Sequence, residues 1–203
     1  MDDPAATDEL LARAARGERA AFDELFASHR DRLGRAVALR LDRRLAARVD
    51  ASDVVQDVCL EAFRRLPTYL QRPDMPLDMW LLWLAREQVL MTHRRHLRAD
   101  KRAVGREVAP LPADSSAAIV RTLAGAGPTP SGAAAAAELA DKLRQALERL
   151  DDDERELILT RHFEQLGNRD VAQLLGISEA AASKRYVRAL ERLRGILLAM
   201  GAV

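Results

Sequence analysis

The stretch from Val108 to Ala137 constrains this chain more than any other part. Alanine fills eleven of its thirty positions, four prolines (Pro110, Pro112, Pro128, Pro130) break it, and Gly125, Gly127 and Gly132 loosen it. Asp114 and Arg121 are its only charged residues. So many helix breakers with so little apolar bulk read as a linker. A loop of that length does not suit one compact domain. The 203 residues are therefore expected to form two small units, 1–106 and 138–203, joined by a flexible linker over 107–137.

Both flanks carry a helical period, and no alternating β-branched run suggests a strand. The expected fold class is all-α. Thr7 is placed to cap a first helix that stops at Gly17. A second, long or broken, runs from Ala21 to about Leu45. Asp50 caps a third, with Val55, Val58, Cys59, Ala62 and Leu66 inward and Pro67 as its end. Leu77 to about Arg98 forms a fourth. After the linker, Leu139, Leu143, Leu147 and Leu150 make one stripe on Glu138–Leu150.

Hydrophobic residues reach 48% and charged residues 31%, enough for packed cores. A net charge of +1 argues against a uniformly basic nucleic-acid binder. Cys59 stands alone, which excludes an intrachain disulfide. No apolar run is long enough to span a bilayer, and Asp2 and Asp3 do not suit a signal peptide. The expectation is a cytoplasmic chain without membrane insertion.

The sharpest local pattern runs from Asn168 to Leu190. Asn168 is positioned to cap a short helix with Val171, Ala172 and Leu175 inward. Gly176 suits a positive-φ turn, Ile177 plugs the angle, and Ser178 caps the next helix. Ala182, Tyr186 or Val187, Leu190 and Leu193 line its buried side. Two short helices around a tight glycine turn form the DNA-reading helix-turn-helix. Ser183, Lys184 and Arg188 fall on one outward arc with Arg185 beside it, and these side chains suit bases and phosphates. Glu179–Arg194 carries a local net charge of +3. Ahead of it, Asp151, Asp152, Asp153 and Glu154 read as caps and dipole partners of a helix start rather than as a metal site.

In the N-terminal half, Asp53, Gln56, Asp57, Leu60 and Arg64 form one strip opposite the apolar stripe. A solvated face is the ordinary reading; Leu60 in its middle points to protein docking. The segment Arg86–Arg106 carries a net charge of +5, including Arg86, Arg94, Arg95 and Arg98. It is either a solvated helix end that offsets the dipole or a grip on phosphates. Trp80 and Trp83 are read as core anchors.

These residues resemble a known family. Asp53-Val-Val-Gln-Asp-Val-Cys-Leu-Glu-Ala-Phe63, then Trp80 to Ala85-Arg86 and Arg94-Arg95, look like the second domain of extracytoplasmic-function sigma factors. Leu150 to Arg194, with Leu174-Leu-Gly-Ile-Ser178, looks like their fourth. The resemblance implies a specificity subunit of bacterial RNA polymerase that directs the core enzyme to promoters and helps melt the DNA. It implies that Asp53, Gln56, Asp57 and Leu60 dock on the clamp coiled coil of core polymerase, and that the loop Leu70–Leu77 captures a flipped minus-ten base. It further implies that Arg86, Arg94, Arg95 and Arg98 hold the melting DNA, and that Ser183, Lys184, Arg185 and Arg188 read the minus-thirty-five element. The linker would thread toward the polymerase cleft. The pattern departs at Glu87, where the family usually carries Asn, and at Ala180-Ala181-Ala182, commonly Gly-Thr-Val. Implied partners are core RNA polymerase, promoter DNA and an anti-sigma factor, with a monomer when free.

The competing reading is a stand-alone helix-turn-helix regulator that binds DNA without polymerase. The N-terminal strip and basic helix argue against it. An enzyme is disfavoured because no nucleophile–base or Gly-rich phosphate constellation appears. His93 and His96 read as a solvated pair. The expectation is no catalytic residue, no metal and no cofactor.

Overall fold

The computed structural model describes residues 4–41, 43–46, 48–97, 111, 116, 119–120 and 133–202. Among these every regular element is helical, and the chain divides into two units, Met1–Val108 and Ala109–Val203. Arg98, Lys101, Arg102, Arg106 and most of the expected linker lie outside the described residues. Leu111, Ser116, Ile119 and Val120, which fall in that stretch, are buried.

The first unit is built from α1 (Pro4–Ala15), α2 (Arg19–Arg40), α3 (Arg43–Ala46), α4 (Ala51–Gln71) and α5 (Leu77–Leu97). The first helix starts three residues before the expected cap at Thr7, with Pro4 as its first helical residue. Proline's fixed φ suits that position and its missing N–H costs nothing there. Gly17, at φ 86°, ends this helix as expected. The second stretch is broken, into α2 and α3, with Leu41 leaving the helical region at ψ 115°. Asp50 does cap α4, accepting from the Ser52 amide at 2.8 Å.

Pro67 does not end α4; the helix runs through it to Gln71. Proline inside a helix loses one backbone bond and crowds the preceding turn. Packing beyond it holds the extension: the Tyr69 ring stacks on Trp80 at 4.5 Å, and its hydroxyl donates to the Met75 carbonyl at 2.9 Å. The loop into α5 is thus only residues 72–76.

Phe22, Leu25, Phe26, Leu33 and Val37 of α2 meet Val54, Val55, Val58, Ala62 and Leu66 of α4 in one core with α5. Phe22 sets an edge against Phe63 at 5.1 Å. The first half of α5 is apolar on nearly every side, and Met79, Trp80, Leu81, Leu82, Leu84 and Ala85 are all buried. A helix apolar all round must be central. Trp80 is the anchor expected; Trp83 is only half-buried, with the Arg65 guanidinium over its ring at 5.6 Å.

The second unit contains α6 (Ala133–Leu147), α7 (Asp152–Ile158), a π-helical turn (Leu159–Phe163), α8 (Asn168–Leu175) and α9 (Glu179–Ala199). Leu143, Leu147 and Leu150 are buried as the stripe requires, although Leu150 lies beyond the end of α6. Asp151 caps α7, accepting from the Glu154 amide at 2.8 Å. The Thr160 hydroxyl donates to the Glu156 carbonyl at 2.8 Å, and the Glu164 amide reaches the Leu159 carbonyl five residues back. That wider ring defines the π turn. No helix of the described residues is long and apolar enough to cross a membrane.

Candidate nucleic-acid interface and docking strip

The helix-turn-helix is set by local chemistry. Gly176 sits at φ 65°, ψ 34° and closes α8. The Ile177 amide donates back to the Ala172 carbonyl at 2.9 Å. Together these turn the chain sharply and satisfy orphan carbonyls. Ser178 then caps α9, accepting from the Ala181 amide at 3.2 Å. Asn168 is not the cap of α8. Gly167 holds that position, and Asn168 Nδ2 instead donates to the Glu179 carbonyl at 3.0 Å, tying the two helix starts together. The buried apolar residues of α8 are Val171, Ala172 and Leu174; Leu175 is only half-buried.

Ala182, Ala189, Leu193 and Leu197 form the buried side of α9. The choice between Tyr186 and Val187 falls to Tyr186. Its Oη lies 2.7 Å from His162 Nε2, while Val187 is 53% exposed. Leu190 is half-buried. Burial, and secondarily the nearby Arg161 charge, hold the His162 pKa below the ordinary imidazole value. The neutral ring keeps a lone pair for the hydrogen bond that imidazolium would lack. Burial raises the Tyr186 pKa, so its hydroxyl keeps its proton.

With that side fixed inward, Ser183, Lys184, Arg185 and Arg188 are all exposed on α9. The acidic start of α7 packs beside it: Arg192 reaches Glu154 at 2.9 Å and Asp151 at 3.4 Å, and Arg185 lies 3.7 Å from Asp153. Asp151, Asp152, Asp153, Glu154, Arg185 and Arg188 line one shared groove. The partners are 32 to 41 residues apart in sequence. No local signal announces them.

In the first unit, Asp53, Gln56, Asp57 and Leu60 are exposed along α4, opposite its buried valines. Leu60 is 47% exposed, one of three large apolar side chains so placed among the described residues. On the second half of α5, Arg94 and Arg95 are exposed and Arg86 is half-buried. Glu87, the departure from the family pattern, accepts from Arg65 at 2.9 Å; Arg65 also pairs with Glu61. That carboxylate serves the α4–α5 contact.

Residues 25–99 match sigma-70 region 2, and residues 140–193 match sigma-70 region 4. The two helical units therefore define a sigma-70-type transcription initiation factor. The ECF RNA polymerase sigma factor SigM of Mycobacterium tuberculosis is 30% identical over 189 residues, covering 93% of this chain and 83% of that protein. The RNA polymerase sigma factor NccH of Alcaligenes xylosoxydans xylosoxydans is 28% identical, covering 97% of each. Among solved structures, CnrH in complex with the cytosolic domain of CnrY superposes with a TM-score of 0.60 at 25% identity, covering 96% of this chain and 98% of that one. RpoE of Bartonella quintana, solved with the anti-sigma factor NepR, shares the fold at a TM-score of 0.56 and 20% identity, covering 87% and 96%. This chain belongs to the ECF RNA polymerase sigma factors.

Proposed function

We propose that this protein is a sigma subunit that brings core RNA polymerase to particular promoters and helps open the DNA. One observation carries the reading. A helix-turn-helix with Ser183, Lys184, Arg185 and Arg188 exposed shares its chain with a second unit that exposes Asp53, Gln56, Asp57 and Leu60. The first set suits base edges and phosphates of a minus-thirty-five element. The second suits a clamp surface of core polymerase, with acids around one apolar anchor. Arg86, Arg94, Arg95 and Arg98 hold the DNA backbone near the melting point, and the segment Leu70–Leu77 captures a flipped minus-ten base. Reading a base this way requires taking it out of the stack.

Two weak DNA contacts in one chain gain by effective concentration when polymerase holds both in register. A stand-alone regulator explains α8 and α9 but leaves the α4 strip and the basic half of α5 without work. The protein acts in the cytoplasm as a monomer when free, without cofactor, metal or catalytic step of its own. An anti-sigma protein, the kind of partner with which RpoE of Bartonella quintana was solved, is its inhibitor class.

The test is selection from a duplex library by the chain with and without core polymerase. Enrichment of a two-element sequence only with core supports the reading. Enrichment of a palindrome by the chain alone, with no change when core is added, overturns it.

A further inference from the structure

The acidic turn beside the recognition helix has a second consequence beyond capping. Four consecutive acids on one turn, Asp151 to Asp153 exposed and Glu154 half-buried, border Arg185 and Arg188 of α9. Only Asp151 caps by its side chain, and only Asp152 pairs within its own helix, with Arg155 at 2.9 Å. The others turn to α9: Asp153 to Arg185, and Glu154, with Asp151, to Arg192. These carboxylates take the place beside Arg185 and Arg192 that a phosphate would take. Exposed pairs of this kind are individually weak, so DNA can displace them. Displacement leaves the acids unpaired beside a polyanion, an arrangement that costs affinity.

We propose that the Asp151–Glu154 turn is a built-in competitor for DNA phosphates. It occupies Arg185 and Arg192 in the free protein and suppresses sequence-independent binding by the helix-turn-helix. The inference rests on the reading of α9 as the DNA-facing helix. Base edges in a correct element, presented while polymerase holds the promoter, overcome the competition; random duplex does not. Specificity is raised by penalising the wrong ligand as well as by favouring the right one.

The test uses the full chain without polymerase and a fluorescent duplex of random sequence, titrated from about 50 to about 200 mM salt. The variant is Asp151→Asn/Asp153→Asn. Asparagine caps helices as well as aspartate, so α7 is retained. Glu24→Gln/Asp31→Asn, two exposed acids of α2, removes the same charge elsewhere. Expected is binding about fivefold tighter than wild type at low salt, with a salt slope steeper by about one, for Arg185 released to phosphate while Arg192 keeps Glu154. The α2 variant stays near wild type. Affinity that is unchanged, weaker, or raised equally by the α2 variant overturns the inference. Arg188→Ala in the holoenzyme separates the two levels. If it relaxes promoter choice while the Asp151→Asn/Asp153→Asn variant binds random duplex as wild type does, the competitor fails and the reading of α9 stands. If the double variant tightens as expected but Arg188→Ala leaves promoter choice intact, the reading of α9 as promoter reader fails instead.

Discussion

Truncation of Leu60 to alanine puts the docking strip to a quantitative test. Fully burying a leucine side chain stabilises by about 1.5–3 kcal/mol. Leu60 keeps 47% of its surface open in the free chain. Covering that share on docking therefore contributes about 0.7–1.4 kcal/mol, and tenfold in affinity is about 1.4 kcal/mol. Leu60→Ala should weaken binding to core polymerase roughly threefold to tenfold. The half already covered by its own helix and neighbours contributes to folding, so the variant also loses about 1 kcal/mol of stability. Both quantities must be measured. Urea unfolding gives the second, and competition for core against a labelled wild-type chain, under conditions where both are folded, gives the first. Core affinity equal to wild type, with the expected stability loss, would refute Leu60 as a docking anchor.

Three further outcomes follow from the geometry. Arg188→Ala should cost about 1–3 kcal/mol in minus-thirty-five discrimination, read in promoter competition, while leaving core association unchanged. Gly176→Ala should destabilise by about 1 kcal/mol in urea because φ 65° disfavours a Cβ, and Gly176→Asn by less. No atom lies within 4 Å of the added Cβ, so the cost is backbone strain alone; a loss several times larger would point to a clash instead. The His162 pKa is depressed in the folded chain, so the unfolded chain binds the proton more readily. Its contribution to stability is therefore complete above the ordinary imidazole value of about 6.5 and falls away as pH drops below it. His162→Gln should flatten that part of the stability–pH curve, and an unchanged curve would contradict the role of the His162–Tyr186 pair.

What the sequence made legible was what short-range chemistry decides. Asp50, Gly176 and Ser178 act within three residues of themselves, so their caps and turn were readable from composition and spacing alone. Pro67 misled because its own penalty is local, whereas the Tyr69–Trp80 stack that carries α4 past it joins two helices. Asn168 misled because two adjacent residues, Gly167 and Asn168, both suit an N-cap, and the tie to Glu179 settled the matter. Tyr186 and Val187 differ by one position on a helix, and periodicity left them equivalent. His162, 24 residues away, made the difference. Exposure of the site residues followed from the stripe opposite them, but the acids bordering α9 did not. Their charges suggest a cap locally, and only the packing of α7 on α9 gives Asp151, Asp153 and Glu154 their arginine partners.

Promoter-dependent initiation by RNA polymerase is the activity this chain should confer. Its most direct test is a transcription assay with purified, sigma-free core enzyme on the two-element DNA enriched by selection. Run-off product that requires both the chain and the intact promoter, and that is lost with Asp57→Arg on the α4 strip, is the predicted result. Specific DNA binding by the chain with no transcript above core alone would contradict it.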